Sequence, residues 1–314
     1  MGRYLIRRLI QAIPVLLGAT FLIYYLAFSL PGDPVSALAG DKKADPTVAA
    51  MLRAKYNLDD PFLLQYWHYI TNLFQGNFGE TLQGRQVIDL ITEAFPYTVN
   101  LAVVAFVIEA LVGITAGVMS ALRRGKFIDQ LVLITTLLVI SIPVFVFGFV
   151  LQLVLGVELK EAWGVDFFPV SFNENDGLRA YLLPGFVLAT TSLAYVARLT
   201  RTSLMETMRA DYVRTATAKG LPRRRVVVRH ALRNALIPII TFLGADLGSL
   251  MGGAVITERI FNIHGIGGTL AMYVWQKQGV VVVGIVTILV LVYMLANLIV
   301  DLLYAVLDPR IRYA

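Results

Sequence analysis

Long apolar blocks alternate with short polar stretches along this chain. Six blocks are long enough, at about 20 residues each, to cross the hydrocarbon core of a bilayer as a helix. They lie at 9–30, 98–122, 130–156, 182–199, 236–256 and 279–306. The fourth block has the least defined end, because its last residues grade into a basic stretch. The pattern predicts an all-α membrane protein with about six transmembrane helices.

The blocks also predict how the chain is organised. We expect a cytoplasmic N-terminal segment with the first helix at 1–30, an external loop with interfacial helices at 31–96, a five-helix core at 97–306 and a tail at 307–314. A cytoplasmic loop at 200–235 interrupts the core. The run before Pro31 is roughly 22 residues long, whereas a cleaved signal peptide carries about 7–15 apolar residues. The first block is therefore interpreted as a retained span.

Charge predicts the orientation. The chain is 57% hydrophobic and 15% charged, with a net charge of +6. Its basic residues sit beside the spans rather than along one soluble face, which favours membrane topology over nucleic-acid binding. The N-terminus, the turn at 123–126, the loop at 200–235 and the tail are basic, while 31–96 is mostly acidic. Both termini and the 200–235 loop are therefore predicted to be cytoplasmic.

The motifs of common enzyme classes are absent from the sequence. With no cysteine, disulfides, thiolate metal sites and cysteine nucleophiles are excluded. No Walker sequence, GxSxG or HExxH motif occurs, and the three histidines are not at ligand spacing. We expect a chain that is not an enzyme, binds no cofactor or metal, and moves a solute rather than reacting with it.

Residues 61–74 form an amphipathic pattern within the first external loop. Apolar and aromatic positions share one helical face, and Gln65, His68, Thr71 and Asn72 lie away from it. This pattern is typical of a helix at the membrane interface. Two interpretations stay open: a lid over the helix bundle, or a rim that receives a substrate-delivering protein.

Three features inside the spans stand out. Pro143 predicts a kink in the third span, because proline removes a backbone donor and clashes with the preceding turn. Glu109 and Asp246 are acidic residues deep within spans, where a charge is costly, so both are candidates for the translocation path. Asp246 either lines a water-filled path or pairs across the bundle.

The glycine pattern after the fifth block predicts a sharp turn. His264, Gly265 and Gly267 follow a span without the preceding strand that a dinucleotide-binding fingerprint requires. We expect a re-entrant turn that is buried against protein and forms an external gate, with His264 in a packing or hydrogen-bonding role.

The stretch at 211–238 is the longest polar interruption on the side predicted to be cytoplasmic. Asp211 is expected to cap a helix of about two turns, and Gly220 with Pro222 is expected to end it. A short helix flanked by charge is a poor span but a good docking site. It is the predicted contact with an energy source outside this chain.

Several stretches together resemble one family. They are RYLIRRLIQAIPVLLGATFLIYYLAFSLPGDP, GNFGETLQGRQVIDLI, SIPVF, DYVRTATAKGL and ITERIFNIHGIGGTL. The chain is similar to permease subunits of ABC importers of dipeptides and oligopeptides, over essentially its whole length. The resemblance implies the type I ABC importer permease fold in a bacterial inner membrane. It also implies a second homologous permease, two cytoplasmic ATPase subunits that use ATP, and an external substrate-binding protein.

The same resemblance implies that Asp211–Leu221 holds a coupling helix that contacts an ATPase, with Gly220 as its stop. The helical face predicted to contact the ATPase carries Tyr212, Thr215, Ala216 and Lys219. The chain departs from the general importer pattern at 214–216, where Arg-Thr-Ala replaces Glu-Ala-Ala. It also departs at His264, a position before the Gly-x-Gly turn that resembles a proline position in many relatives. The competing interpretation is a helix lying on anionic headgroups.

Two rival functions are weighed. An ion-coupled secondary transporter would use Glu109 and Asp246, but it predicts internal repeats that the sequence does not clearly show. An intramembrane enzyme would need catalytic groups at one depth, and only scattered ones occur. Dipeptides, longer peptides, glutathione, nickel complexes and haem-like ligands all stay open as cargo, because selection is expected to lie with the binding protein.

Overall fold

A computed structural model describes residues 2–28, 46–55, 57, 59–164 and 167–307. These residues form helices and connecting turns. Across this described part, β-structure is limited to one isolated bridge between Glu80 and Gln86. The prediction of an all-α protein is confirmed.

The α-helices, in chain order, are α1 (Gly2–Phe28), α2 (Pro46–Lys55), α3 (Phe62–Phe74), α4 (Val87–Ile108), α5 (Ile114–Leu122), α6 (Phe127–Ser141), α7 (Val144–Leu151), α8 (Leu159–Trp163), α9 (Arg179–Thr207), α10 (Asp211–Ala218), α11 (Arg223–Arg225), α12 (Arg233–Phe261), α13 (Ile266–Trp275) and α14 (Gly279–Leu307). Three π-helical segments continue α4, α7 and α11 at Glu109–Gly113, Gln152–Glu158 and Val226–Leu232. A 3-10 turn lies at Glu174–Asp176.

Among the residues that the structure describes, five helical stretches are long and apolar enough to cross a membrane. They are Ile6–Phe28, Val87–Leu122, Arg179–Thr207, Arg223–Gly252 and Gly279–Leu298. A sixth is formed by α6 together with Val144–Trp163. The prediction of about six spans is confirmed, but the second, fourth and fifth helices begin earlier than their apolar blocks. Polar and basic residues at the ends of these blocks remain helical instead of stopping the helix.

The third span is broken rather than gently kinked. Its two halves meet at an angle of 107° around Pro143. Ile142 is extended, with φ −95° and ψ 126°, because the proline ring disfavours helical backbone in the residue before it. The hydroxyl of Ser141 donates to the carbonyl of Leu137 over 2.8 Å, a bond within the last turn of α6.

One compact unit comprises residues 1–98 and 264–314. In it α1 packs along α14. Helix α3 lies against α1 through aromatic contacts of Tyr24 with Phe62, Tyr66 and Tyr69. The predicted 61–74 helix is therefore present, but its apolar residues divide between two faces. Ile70 is buried, whereas Leu63, Trp67 and Phe74 are exposed.

The second compact unit comprises residues 99–263. Helix α9 is its central element and packs against α5, α6, α7 and α12. Two glycines of α5 and its preceding π-segment allow the backbones to approach closely. A Cβ at Gly117 would lie 2.5 Å from the carbonyl oxygen of Ala197, and one at Gly113 would lie 2.8 Å from Val196 Cγ1.

These units divide the chain differently from the predicted core at 97–306. Residues 264–306 group with the N-terminal segment, because α13 and α14 share a core with the start of α4. That core contains Val87, Leu90, Ile91, Ala94, Ile266, Tyr273, Val281, Ile285 and Ile288. Most of the predicted tail (308–314) and the first part of the predicted external loop (31–45) lie outside the described residues.

Candidate functional site

Helix α10 forms where the polar stretch predicted it, but its N-terminus differs from the prediction. Ala210 is the N-cap residue, and no side chain caps the helix. Asp211 is the first helical residue; its side chain is 97% exposed and lies 3.5 Å from the guanidinium of Arg214. The predicted capping role of Asp211 is wrong. An acidic residue in the first turn still favours the helix, because the helix dipole is positive at that end.

The C-terminus of α10 is closed by two backbone hydrogen bonds around Gly220. Leu221 N donates to the carbonyl of Ala216 over 3.4 Å, and Gly220 N donates to the carbonyl of Thr217 over 3.0 Å. Gly220 has φ +76°, a conformation that glycine adopts without steric cost. This pair of bonds is a Schellman motif, so the prediction that Gly220 stops the helix is confirmed.

The inner face of α10 is apolar. Val213 is 2% exposed and Ala216 is 6% exposed. Together with Leu204, Val226, Ala231 and Ala235 they form a buried cluster, called here the Leu204 cluster. The prediction that Ala216 shares an outward face with Tyr212 is wrong. Val213 and Ala216 are three residues apart and turn together towards the chain's own core.

The outer face of α10 carries the remaining predicted contact residues. Tyr212, Thr215 and Lys219 are all exposed. The hydroxyl of Tyr212 accepts a hydrogen bond of 2.9 Å from the side-chain amide of Asn234, which ties the outer face to α12. Thr215 uses its hydroxyl within the helix, donating to the carbonyl of Asp211 over 2.9 Å.

Glu109 and Asp246 come together within the second unit, away from α10. Glu109 is fully buried, and Asp246 is partly buried. Within the described part of the chain, neither Glu109 carboxyl oxygen has a hydrogen-bond partner, although the Asp246 carboxyl is within hydrogen-bonding reach. Two carboxylates are both acceptors, so this pair makes a hydrogen bond only when one of them carries a proton. A role in a translocation path stays a prediction.

The turn at His264–Gly267 has the predicted sharp geometry. His264 is exposed beside Tyr97, with ring centroids 6.4 Å apart, while Gly265 and Gly267 are buried. The buried backbone N–H of Ile266 donates to the hydroxyl of Thr98 over 2.8 Å, which holds the start of α13 against α4. A gating role for this turn stays a prediction.

Two features near α10 were not predicted. The first is a buried ion pair between Asp129 of α6 and Arg201 of α9. No local pattern predicts it, since 72 residues separate the partners. The second is the packing of Gly113 and Gly117 against α9. Here the sequence carried a signal, because G-x-x-x-G is a common helix-packing motif in membranes.

The described residues contain no group of three or more His, Asp or Glu side chains that could hold a metal ion. The outer face of α10 is an exposed surface that lies over a packed apolar cluster. Such a surface suits protein contact.

Comparison with known proteins identifies the family. The model described as "Binding-protein-dependent transport system inner membrane component" matches residues 113–313, and its N-terminal companion matches residues 1–102. The chain belongs to this family. It is therefore a multi-span inner membrane component of a transport system that works as a complex.

Three curated permease proteins show how far this likeness extends. The oligopeptide transport system permease protein AppB of Bacillus subtilis is 37% identical over 319 residues, covering 100% of both chains. The di/tripeptide transport system permease protein DppB of Pseudomonas aeruginosa is 37% identical, covering 100% of this chain and 99% of its own. The glutathione transport system permease protein GsiC of Escherichia coli is 36% identical, covering 100% of both chains. None of these names supports an ion-coupled secondary transporter.

Proposed function

We propose that this chain is the membrane-spanning permease subunit of an ATP-driven importer of peptides. The cargo class rests on the relatives, whose names specify oligopeptides, di- and tripeptides, and glutathione. All of these are peptides or peptide-like. In this role the chain has no catalytic site of its own and binds no cofactor.

Support for the proposed partners comes from the family description, which names a binding protein, and from the exposed outer face of α10. The chain forms half of a translocation path with a second homologous permease. Two cytoplasmic ATPase subunits use ATP, and an external binding protein delivers the cargo. Both termini and α10 lie in the cytoplasm, in line with the excess of basic residues in those segments.

The observation that carries the coupling role is the two-sided build of α10. Its inner face is fixed to the Leu204 cluster, and its outer face presents Tyr212, Thr215 and Lys219 to solvent. A helix fixed in this way moves with the bundle when its outer face is pushed. ATP-driven closure of the ATPase dimer then moves α10 and switches the bundle between its two openings.

The test is a variant of the outer face in the complete complex. Thr215→Trp adds bulk where the ATPase would dock without entering the Leu204 cluster. We expect reduced co-purification of the ATPase subunits and a reduced stimulation of ATP turnover by loaded binding protein. Thr92→Trp is the matched control, because Thr92 is also an exposed helical threonine whose hydroxyl bonds to its own helix.

Unchanged assembly and turnover in Thr215→Trp would contradict the coupling role. Peptide uptake into liposomes that contain the permease pair and an ion gradient, but no ATPase, would instead support the ion-coupled alternative. We expect no such uptake.

A further inference from the structure

The carboxylate of Asp129 lies in a site that is fully occupied by donors. The guanidinium of Arg201 donates from Nε to Oδ1 over 2.6 Å and from Nη2 to Oδ2 over 2.9 Å. Ser120 Oγ donates to Oδ1 over 2.5 Å, and Gly125 N donates to Oδ2 over 2.8 Å. The Asp129 side chain is 3% exposed and that of Arg201 is 19% exposed.

These four bonds join three helices and one turn. Ser120 belongs to the last turns of α5, Gly125 to the turn that follows, Asp129 to the first turn of α6, and Arg201 to α9. A two-pronged contact between a guanidinium and a carboxylate fixes both distance and angle. The clamp formed by Ser120, Gly125, Asp129 and Arg201 therefore sets the relative position of α5, α6 and α9.

Asp129 pairs with a distant arginine although basic residues lie close to it in the chain. Three exposed basic residues, Arg123, Arg124 and Lys126, lie in the turn just before α6. The carboxylate nevertheless pairs with Arg201, which is 72 residues away in the chain. A local pair would hold only the turn, whereas this pair holds the turn to the central helix of the unit.

The clamp includes residues of α5 and α9, the same two helices that contribute side chains to the packing of the Leu204 cluster under α10. Leu204 of α9 is one helical turn beyond Arg201 and is buried in the Leu204 cluster. Val118 and Ala121 of α5 flank Ser120 and pack against that same cluster. One turn earlier on α5, Gly117 brings the α5 and α9 backbones into close contact.

Stability alone is a weak reason for such a pair. Removing two charges from water offsets most of their attraction, and well-packed apolar residues often replace a buried ion pair without loss. What apolar residues do not supply is a fixed direction between the helices. This favours positioning as the role of the clamp.

We propose that Asp129 and Arg201 are positioning residues for energy coupling, because they lock α5, the start of α6, the end of α9 and α10 into one rigid body. Movement of α10 is then transmitted to α6, the first half of the broken third span. This inference rests on the proposed coupling role of α10.

The functional test compares three variants in the complete complex, reconstituted with binding protein and peptide. Asp129→Asn and Arg201→Lys remove the two-pronged contact; Arg201→Lys keeps the charge. We expect both to lower the peptide transported per ATP hydrolysed by about fivefold or more, within the usual range for coupling between sites. The charge-swapped pair Asp129→Arg with Arg201→Asp is expected not to recover that loss, because the Ser120 hydroxyl and the Gly125 N–H would then face a guanidinium, which has no acceptor. Glu93→Gln, which breaks the exposed pair between Arg85 and Glu93, is the control and is expected to match the wild type.

A distance measurement tests the rigid body directly. The chain contains no cysteine, so a spin-label pair is introduced by Lys126→Cys and Arg209→Cys, two exposed positions beside α6 and α10. We expect the same label distance in the nucleotide-free and vanadate-trapped complex. With Arg201→Lys added, the distance is expected to broaden or shift between the two states.

The outcomes separate the two proposals. A wild-type complex without substrate-stimulated ATP turnover would overturn the proposed function. A stimulated wild type whose clamp variants transport as much peptide per ATP, or a label distance that changes between states in the intact clamp, would overturn the rigid body alone. If Asp129→Asn does not assemble, the test rests on Arg201→Lys, which retains the positive charge.

Discussion

The backbone N–H of Leu221 bonds to the carbonyl oxygen of Ala216, and both side chains pack in or against the Leu204 cluster. The backbone hydrogen bond thus closes the end of α10, and the packing of the two side chains holds its inner face. The helix is anchored at two points that are five residues apart. An anchored helix transmits a push, whereas a helix on a loose loop would absorb it.

The conformation of Gly220 gives a first prediction. Its φ of +76° is unfavourable for other residues, although a Cβ there would meet nothing within 4 Å. Gly220→Ala is expected to cost about 1–2 kcal/mol of local stability through backbone strain alone. We expect a lower stimulation of ATP turnover in the complete complex, and a smaller effect for Gly220→Asn, since asparagine tolerates this conformation better.

Gly84 provides the control for this strain. It has φ +79°, and a Cβ there also meets nothing within 4 Å. Gly84→Ala is expected to lower thermal stability by a similar amount and to leave ATP turnover unchanged. Equal turnover in both alanine variants would show that the end of α10 does not matter for coupling.

The inner face of α10 gives a second prediction. Val213→Ala removes buried apolar surface and is expected to destabilise the seat of the helix by about 2 kcal/mol. The variant is expected to purify with less ATPase, because α10 is held less firmly. Val228→Ala, at an exposed valine of the following π-segment, is the control and is expected to behave as the wild type.

The close contact between α5 and α9 gives a third prediction. A Cβ at Gly117 would lie 2.5 Å from a backbone carbonyl oxygen, which does not move aside easily. Gly117→Ala is expected to destabilise the bundle by about 1–3 kcal/mol, measured as a lower melting temperature of the purified chain. Gly18→Ala in α1, where a Cβ meets nothing, is expected to be neutral or slightly stabilising.

The buried carboxyl of Glu109 gives a fourth prediction. Glu109→Gln keeps the shape of the side chain and removes a buried acidic group. Among the described residues this group has no hydrogen-bond partner, and it lies next to Asp246. A melting temperature equal to or above that of the wild type is expected, because the glutamine amide can donate to the Asp246 carboxyl in either of its protonation states. Loss of transport in an assembled Glu109→Gln complex would show instead that the acid itself is needed for translocation.

The phenol of Tyr69 gives a prediction about pH. Burial raises its pKa to about 12, while its hydrogen bond with Thr287, at 2.6 Å, acts in the opposite direction. Because the pKa of Tyr69 is higher in the folded than in the unfolded chain, the stability contributed by its protonated phenol is complete below about pH 10. That stability is lost as pH rises towards 12. Tyr69→Phe is expected to cost about 1 kcal/mol at neutral pH. Its melting temperature should fall less steeply than that of the wild type between pH 10 and 12.

Single residues and apolar runs made part of the fold predictable from the sequence. Apolar block length predicted the spans, Pro143 predicted a kink where the third span is broken, and Gly220 predicted the end of α10. Each of these signals depends on one residue or one run, and the physical cause is local. The size of the break, 107°, was not predictable, because packing of the two halves decides it.

Tertiary contacts decided the rest. Tyr212 and Ala216 are both compatible with an outward face in an isolated helix; the buried Val213 determines which side turns inward. Pairing of Asp129 with Arg201 depends on where α6 and α9 meet, and nothing near either residue indicates it.

The break at Pro143 has a consequence for how the chain crosses the membrane. Helix α6 has 15 residues and is therefore about 22 Å long, shorter than the hydrocarbon core of about 30 Å. Alone it does not cross the bilayer as a finished rod. The span is completed only by Val144–Trp163 beyond the break, and α9 supports both parts, since α6 and α7 pack against it.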